Sequence, residues 1–425
     1  MTNAYASYLR LLAIMFGTSL LALAGFNWLL DPYGVFDAPA LPGINTVKHG
    51  YANHLRLAKA HAVARIRPRA VILGSSRAET AFDPGHPGFP VRPVYNLAMS
   101  GAGIYEMLRY LQHAESVRRL DLAVAVVDFF GFNAAWPVQP GFEESRLRAT
   151  ADGTPSGGSA TDLLAALLSR DATADSWWEL RHQRDGGTTY DPRTGLRDES
   201  FDAPAILAAG GYREAFRNNA DYFVRYGYYP SKPPRPFAFA DRQADSFASF
   251  RRLMDTAHAN GTRLILVIPP VHAEQLELIH VLGLWPLLEQ WKRNLAGLVA
   301  DDAARHPEAR ACELWDFSGY NDITLEPVPA AGDAVTRMHW YREGSHFTRA
   351  AGDLVLDRIL GTPGRAYSGP KGFGIRLDRD NVEQVLAAAR AGRERWLASH
   401  AEVAADVARI AARYPQNHQP STQDR

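Results

Sequence analysis

The stretch RPRAVILGSSRAETAFDP, residues 67–84, carries the strongest signal for the fold class. Its apolar run at 70–73 is short and uninterrupted, which is typical of a strand buried on both faces of a parallel sheet. The run ends at Gly74, and Ser75 and Ser76 follow it directly before a helical pattern. Ligands of parallel sheets bind at the carboxyl ends of strands, so two hydroxyl groups are predicted where chemistry takes place. The alternative is a plain turn, since Gly-Ser-Ser is a common turn sequence.

Similar short apolar runs recur along the chain and alternate with amphipathic helical patterns. Such alternation predicts an α/β protein with a mostly parallel sheet that is covered on both faces. Strands are predicted at 70–73, 93–97, 122–130, 262–268 and 311–316, and helices at 47–66, 104–118, 242–260, 285–305 and 348–360.

The N-terminal segment 11–30 contains no charged residue. A helix of about 20 residues spans about 30 Å, the thickness of the hydrocarbon core of a bilayer. Arg10 precedes the segment, and Asp31 and Asp37 follow it, which favours a cytoplasmic N-terminus. We predict a single-pass transmembrane anchor in the inner (cytoplasmic) membrane, with the remainder in the periplasm or extracytoplasmic space. A cleaved signal peptide, suggested by Ala22-Leu23-Ala24, and a buried core helix are the alternatives.

Composition and periodicity divide the chain into four parts. Residues 1–36 form the membrane anchor, and residues 37–136 with 241–365 form the α/β domain. Between these two pieces lies an irregular insertion at 137–240, rich in Pro, Gly and aromatic residues and partly helical at 161–182. We expect it to shape a substrate groove or a partner surface. Residues 366–425 are predicted to hold one long C-terminal helix, at 378–412, and a polar tail.

Charge and cysteine content exclude several classes of function. Lys plus Arg and Asp plus Glu number 46 each, and no basic run occurs, which argues against nucleic acid as a partner. Cys312 is the only cysteine, so neither an internal disulfide nor a cysteine-based metal cluster is expected. His49, His54 and His61 do not have zinc-ligand spacing. We predict no metal and no cofactor.

A second chemical signal is WYREGSHFTRAAGDLVLDRIL, residues 340–360. His346 lies in a loop directly before an amphipathic helix, and Glu343 precedes it by three residues. A nucleophilic serine needs a base, and a carboxylate beside a histidine orients the imidazole and stabilises its charged form. The alternative is that His346 makes only a structural hydrogen bond at the start of the helix.

Four blocks of the chain, in order, resemble the SGNH (GDSL) hydrolase superfamily. The resemblance covers about residues 67–360 without the insertion, and it implies a three-layer α/β/α, flavodoxin-like domain. The blocks are Gly74-Ser75-Ser76, Gly101 in YNLAMSGAG, Gly131-Phe132-Asn133 in VVDFFGFN, and Glu343-x-x-His346.

This resemblance implies a role for each matched residue. Ser76 is the expected nucleophile, His346 the general base, and Glu343 the residue that orients the base. The backbone N–H groups of Ser76 and Gly101 and the side-chain amide of Asn133 are the expected oxyanion donors.

Three positions depart from the family pattern. Ser75 and Glu343 stand where the family has Asp, and Ala134 replaces the Asp of the third block.

The Gly-Ser-Ser form and the anchor resemble DltD and the membrane-tethered polysaccharide O-acetylation proteins. This implies a serine esterase or O-acyltransferase that takes an acyl donor and an envelope glycan acceptor, with a membrane-bound O-acyltransferase as partner. The alternatives are a non-catalytic envelope glycan-binding or assembly factor on a degenerate SGNH scaffold, and a doubly wound nucleotide binder.

Several polar residues near the predicted strand ends admit two interpretations. Arg77 is assigned to binding an anionic substrate, with a structural salt bridge as the alternative. Asp128 lies in an apolar strand, where we expect it to bond the serine loop or nearby backbone. His272, Asp316 and Asp322 follow later strands, where structural roles are the more frequent outcome.

Overall fold

A computed structural model of the chain describes residues 2–158, 160–185, 190–362, 366–415 and 417. Six strands within these residues form one sheet, in the order β2-β1-β3-β4-β5-β6. The first five are parallel, and β6 pairs with β5 in the antiparallel direction. The predicted α/β class with a mostly parallel sheet is therefore confirmed. The strands are β1 Ala70–Leu73, β2 Val94–Asn96, β3 Leu122–Val126, β4 Arg263–Ile268, β5 Glu313–Asp316 and β6 Ile375–Arg376.

The helices connect the strands and extend the chain at both ends. In chain order they are α1 Thr2–Leu30, α2 His49–Asn53, α3 Leu55–Ile66, α4 Ser76–Ala81, α5 Ile104–Val117, α6 Thr161–Leu168, α7 Arg170–Arg181, α8 Asp202–Ala208, α9 Tyr212–Tyr222, α10 Ser246–Asn260, α11 Ala273–Val281, α12 Trp285–Arg305, α13 Arg349–Leu360, α14 Val382–Ser399 and α15 Ala401–Ala412.

Both faces of the sheet are buried, as the uninterrupted apolar runs require. Val71 and Leu73 point to one face, where they join a cluster formed with α3, α5, α10 and α12. Ala70 and Ile72 point to the other, where they pack with α4 and α13. All four residues of β1 are at most 1% exposed. Alternate side chains thus belong to different cores, because successive Cβ atoms of a strand point to opposite faces.

The strand order opens a crevice beside β1. This strand lies between β2 and β3, and the chain leaves β1 and β3 toward opposite faces of the sheet. Where neighbouring parallel strands lead to opposite faces of a sheet, the loops that follow them diverge and leave a crevice at the carboxyl ends of the strands. Gly74 makes the sharp exit from β1 at φ +151°, where a Cβ would lie 2.9 Å from the Cβ of Ala78 and 3.0 Å from that of Val126. Only glycine fits this turn.

The C-terminal region differs from the prediction in two ways. The single helix predicted at 378–412 is two helices, α14 and α15, because His400 between them has non-helical angles of φ −131° and ψ 34°. The break turns α15 back onto α9 and α11. In addition, β6 adds an antiparallel strand from a part of the chain that was assigned to helix and tail.

One predicted strand and one predicted helix have boundaries in the structure that differ from the prediction. The strand predicted at 122–130 ends at Val126, and a 3-10 turn follows at Phe129–Phe132. The helix predicted at 47–66 is divided into α2 and α3 at His54, whose ψ of 28° interrupts the helical path. Apolar residues continue beyond Val126, so hydrophobicity alone does not reveal the end of β3, whereas the polar residues Asn53 and His54 lie at the break between α2 and α3.

The N-terminal helix α1 is long and apolar enough to cross a membrane. The most apolar 18-residue window within 4–30 has a mean hydropathy of 1.9, and no part of that window is buried, which contradicts the core-helix alternative. Among the described residues, its last turns are the part of α1 that is buried against the rest of the protein. There Asn27, fully buried, donates from Nδ2 to the carbonyl oxygen of Leu167 at 2.8 Å and to Oγ1 of Thr173 at 2.9 Å. The helix is thus held by α6 and α7 of the predicted insertion.

Candidate active site

Ser76 and His346 meet in space although 270 residues separate them in the chain. Oγ of Ser76 lies 2.7 Å from Nε2 of His346. Ser76 is the first residue of α4, directly after β1, and His346 lies in the loop before α13. The two helices approach so closely that a Cβ at Gly352 of α13 would lie 2.0 Å from the carbonyl oxygen of Ala81 in α4. This contact brings the two loops together.

Glu343 completes a chain of hydrogen bonds behind His346. The carboxylate accepts from Nδ1 of His346, from the His346 backbone N–H at 3.1 Å, and from the Ser345 N–H at 2.8 Å. Because a carboxylate can only accept, Nδ1 carries the proton and Nε2 is left to accept from the hydroxyl of Ser76.

The groups around Glu343 stabilise the negative charge of its carboxylate. Burial by itself raises the pKa of the carboxyl, but the His346 imidazole, the Ser345 N–H and the Arg342 guanidinium outweigh it. They hold the pKa below its ordinary value of 4.5. The carboxylate is therefore ionised at neutral pH and attracts the positive charge that His346 acquires on taking a proton.

Ser75, the neighbouring hydroxyl, is committed to structure. It donates to Oδ2 of Asp128 at 2.6 Å, and the other oxygen of Asp128 accepts from Nη1 of Arg77. Asp128 thus bonds the serine loop, as predicted. Arg77 is only 5% exposed, and its guanidinium lies over the rings of Phe130 and Phe223. Arg77 also lines the cleft of Ser76, but the carboxylate of Asp128 already neutralises its charge, which favours the salt-bridge alternative over the assignment to substrate binding.

Replacing Asp128 by alanine is expected to destabilise the fold by about 3–5 kcal/mol, because it leaves the buried Arg77 guanidinium without a counter-charge. Chemical denaturation of the full chain in detergent measures the loss. The matched control is Asp121→Ala, which removes an ion pair with Arg69 whose partners are 40% and 45% exposed and should cost less than about 1 kcal/mol. Equal losses in the two variants contradict the expected role of the buried pair.

Asn133 does not reach the serine. Its Nδ2 donates to the carbonyl oxygen of Tyr228 at 3.0 Å, and its Oδ1 accepts from the N–H of Ala135 at 3.0 Å. The side chain is 2% exposed and lines a different cavity. The predicted third oxyanion donor is therefore wrong. The physical reason is the early end of β3 and the 3-10 turn after it, which direct Asn133 away from Ser76.

Gly101, by contrast, lies in the wall of the cleft that contains Ser76 and His346. Its φ is +72°, and a Cβ would lie 2.9 Å from the side chain of Gln139. Its carbonyl oxygen accepts from Nε1 of Trp136 at 2.7 Å, which fixes the loop. Among the described residues, the backbone N–H groups of Gly101 and Ser76 have no hydrogen-bond acceptor. Both donors are therefore available to a ligand.

The insertion supplies a wall of the cleft that sequence reasoning missed. The cleft has a volume of about 350 Å³, and the side chain of His346 is 25% exposed, so a substrate can reach the imidazole. Asn219 of α9 lines it and donates from Nδ2 to Oγ of Ser345 at 3.3 Å. No sequence signal pointed to it, because the insertion was predicted to be irregular beyond residue 182. The other lining residues that sequence reasoning missed are Glu79, Thr80, Ser100, Phe130, Trp136, Arg197, Tyr222, Phe223, Arg342 and Ser345.

A second, larger groove adjoins this cleft. It has a volume of about 650 Å³, and Trp136 lines both cavities. The groove runs between the start of α5 and the start of α10, with Tyr105, Arg235 and Arg252 among its lining residues. The indole of Trp136 therefore stands between the two cavities and faces both of them.

His272 and Asp316, considered as cleft residues, have structural roles instead. His272 is 3% exposed, and burial lowers its pKa to about 4 while its Nε2 hydrogen bonds the carbonyl oxygen of Glu326. Asp316 accepts from Nζ of Lys292 at 2.6 Å inside the protein. Neither lines the cleft of Ser76.

Among the described residues, two groups of side chains that share Asp302 combine potential metal ligands: His258, Asp302 and Cys312, and Asp255, Asp302 and His306. His258, Asp302 and Cys312 bring their ligating atoms within 4.8 Å of one another, at the amino ends of β4 and β5 and thus at the edge of the sheet opposite Ser76. Asp302 already bonds Nε2 of His258 at 2.6 Å and pairs with Arg305 at 3.4 Å. Burial raises the pKa of Cys312, which keeps the thiol neutral and a poor ligand. We assign the cluster to packing.

No protein-family model and no curated protein matches the chain. The functional argument therefore depends on the geometry of the cleft.

Proposed function

We propose that this chain is a membrane-anchored, extracytoplasmic serine esterase or O-acyltransferase of the SGNH type, acting on a cell-envelope glycan or its precursor. The observation that carries the proposal is the hydrogen-bonded series Ser76, His346 and Glu343 in an open cleft, beside two backbone N–H groups without acceptors. A nucleophile, an oriented base and oxyanion donors are the parts that acyl transfer needs.

The chemistry proceeds in two half-reactions. Oγ of Ser76 attacks the carbonyl carbon of an acyl ester while Nε2 of His346 takes the hydroxyl proton. The N–H groups of Ser76 and Gly101 donate to the oxyanion, and the departing alkoxide receives the proton from His346. An acyl-serine ester remains. His346 then removes a proton from a sugar hydroxyl or from water, whose oxygen attacks the carbonyl carbon of the acyl-serine. The bond to Oγ of Ser76 breaks, and His346 returns the proton to that oxygen.

The order of the motifs and of the strands supports the SGNH assignment. The sheet begins 2-1-3-4-5, the flavodoxin-like order, and helices cover both of its faces. The serine follows β1 and the histidine precedes the helix after β5, as the superfamily resemblance implies. The three-layer α/β/α domain is therefore the architecture we assign.

The second groove supports a glycan as acceptor. A small acyl group fills only the cleft at Ser76, whereas a chain of sugars needs a longer path with polar walls and an aromatic surface. The groove past Trp136 offers both.

Trp136→Ala is therefore expected to lower the ratio of acyl transfer to hydrolysis by a few-fold to about tenfold, since one aromatic surface contributes about 0.5–1.5 kcal/mol. The ratio is measured with p-nitrophenyl acetate as donor and a neutral oligosaccharide such as cellohexaose as acceptor. Trp136→Phe keeps an aromatic ring and should retain most of the ratio. A ratio that is equal in the wild type and the alanine variant contradicts the groove as acceptor site.

The orientation of Asn133 favours a second candidate, a non-catalytic envelope factor on a degenerate SGNH scaffold. The loss of one oxyanion donor typically costs about 10²–10³ in rate. A fluorophosphonate probe separates the two candidates. Labelling of the full chain, with the adduct on the peptide that contains Ser76, supports the enzyme, and the absence of an adduct on folded protein supports the binding factor.

The proposed anchor determines on which side of the membrane the enzyme lies and therefore how an acyl group must reach it. With α1 in the inner membrane and its N-terminus in the cytoplasm, the cleft lies on the periplasmic side. An acyl group there must arrive across the membrane, so a membrane-bound O-acyltransferase is the proposed partner that delivers it.

A further inference from the structure

Two short helices of the insertion expose large apolar side chains next to the anchor. We call Leu164 and Leu168 of α6 and Trp177 and Trp178 of α7 the interfacial face. Their exposed fractions are 55%, 39%, 49% and 47%. On the opposite sides of these helices Ala166, Ala172 and Ser176 are buried against the protein. The exposed apolar side chains of the two helices therefore face away from the core, and Trp178 also stacks on the ring of His182 with the ring centres 4.0 Å apart.

This face is attached directly to α1. Asn27 of α1 bonds both α6 and α7, and the ring of Phe26 lies 6.3 Å from that of Trp177. The guanidinium of Arg181 lies 4.6 Å from the centre of the Trp177 ring. An indole with a neighbouring arginine is the combination that favours the boundary between acyl chains and headgroups.

The length of α1 places this contact at the level of a membrane surface. The span 4–30 has 27 residues and is thus about 40 Å long, whereas a bilayer core is about 30 Å thick. The final turns hold Asn27 and Leu30, which are buried in the folded part, so we place the hydrocarbon at the turns before Phe26 and not over the whole of the predicted span 11–30. Phe26, and with it Trp177, then comes to the headgroup boundary.

From this geometry we propose that the interfacial face lies in the headgroup region of the same bilayer that α1 spans, with lipid as its occupant. The inference rests on the proposed anchoring. Continuity with the spanning helix favours lipid over a protein partner, since the face begins where the helix leaves the membrane. Asp171 is also exposed on α7, which limits the face to the surface layer of the bilayer. The insertion that contributes α9 to the cleft is thereby fixed at the membrane surface.

Single-cysteine labelling tests the proposal in the full chain. Cys312 is 3% exposed, so a thiol reagent selects an introduced cysteine. Leu164→Cys and Leu168→Cys carry a bimane label, and Val335→Cys, on a loop where the native side chain is 83% exposed, is the control. Each variant is reconstituted into vesicles of phosphatidylethanolamine and phosphatidylglycerol.

Lipids with a shallow spin label should quench the bimane at 164 and 168 at least about twofold more than at 335, and aqueous iodide should show the reverse order. Iodide quenching at 164 and 168 equal to that at 335, in protein that floats with the vesicles, overturns the proposal. If the chain does not float after an alkaline wash, the anchor itself is wrong, and the proposal fails with it for a distinguishable reason.

A second measurement needs no labelling. Brominated lipids should quench part of the intrinsic tryptophan fluorescence, and Trp177→Phe with Trp178→Phe should remove much of that quenching. Trp28, exposed on α1, accounts for the remainder. Quenching by brominated lipid that is unchanged in the double variant contradicts the placement of α7.

Discussion

Ser76→Ala is expected to lower ester turnover by about 10⁴–10⁶, and His346→Ala by a similar factor. The alanine at 76 removes the atom that forms the acyl bond, and the alanine at 346 removes the group that takes its proton at 2.7 Å. Hydrolysis of p-nitrophenyl acetate by the full chain in detergent measures both losses. Labelling by the fluorophosphonate probe should disappear in the Ser76 variant and fall steeply in the His346 variant.

The double variant provides the sharper test. Because the two residues act as one unit, replacing both should cost about as much as replacing one. Additive losses mean that the residues act independently, which contradicts a nucleophile and its base. Ser399→Ala, at an exposed helix end far along the chain, is the control for nonspecific serine reactivity. Adduct formation at Ser75 instead of Ser76 also contradicts the assignment, since Ser75 is held by Asp128.

Glu343→Gln is expected to lower kcat by about 10³–10⁴ with little change in KM. The neutral amide no longer attracts the charge on His346, and its NH₂ group can favour the wrong tautomer of the imidazole. Glu343→Asp keeps the charge on a side chain one methylene shorter, so it should retain more activity than the glutamine variant. Steady-state kinetics with p-nitrophenyl acetate check this order.

The stability of the same variant depends on pH in a defined direction. The pKa of Glu343 lies below its ordinary value of 4.5 in the folded protein. Its ionised form therefore stabilises the fold above that pH, and the contribution is lost as the pH falls through the lowered pKa. The difference in Tm between wild type and Glu343→Gln should shrink from pH 7 toward pH 3. A difference that grows on acidification, or equal kcat values for the glutamine variant and the wild type, contradicts the role of Glu343.

The segment that contains Ser76 and the segment that contains His346 each carry a local sequence signal. An apolar run that stops at a glycine and two serines marks the carboxyl end of a strand, and a Glu-x-x-His before a helix marks a loop that can hold a carboxylate and an imidazole together. Each pattern depends on residues within a few positions of one another. The same locality explains why Asp128 was recognised as unusual in an apolar strand, since a buried carboxylate needs a partner nearby.

The surroundings of Asn133 and Arg77 depend on contacts that are not local in the sequence. Whether Asn133 faces the serine depends on where β3 ends, and apolar residues continue beyond Val126 into the 3-10 turn. Whether Arg77 is open to substrate depends on Asp128, 51 residues away, and on two aromatic rings. Nothing within a short window of sequence distinguishes these outcomes.

By itself the sequence determined the α/β class and the apolar N-terminal helix, because period and length are local properties of the chain, whereas the candidate residues for an acyl-transfer site came from the resemblance to the SGNH superfamily. Only the tertiary structure decided that Oγ of Ser76 meets Nε2 of His346, that Asn133 turns away, and that α9 of the insertion forms a wall of the cleft. It also decided that α6 and α7 present their apolar side chains beside the anchor. These outcomes depend on contacts between segments far apart in the chain, which form only when two helices pack closely enough to bring their loops together.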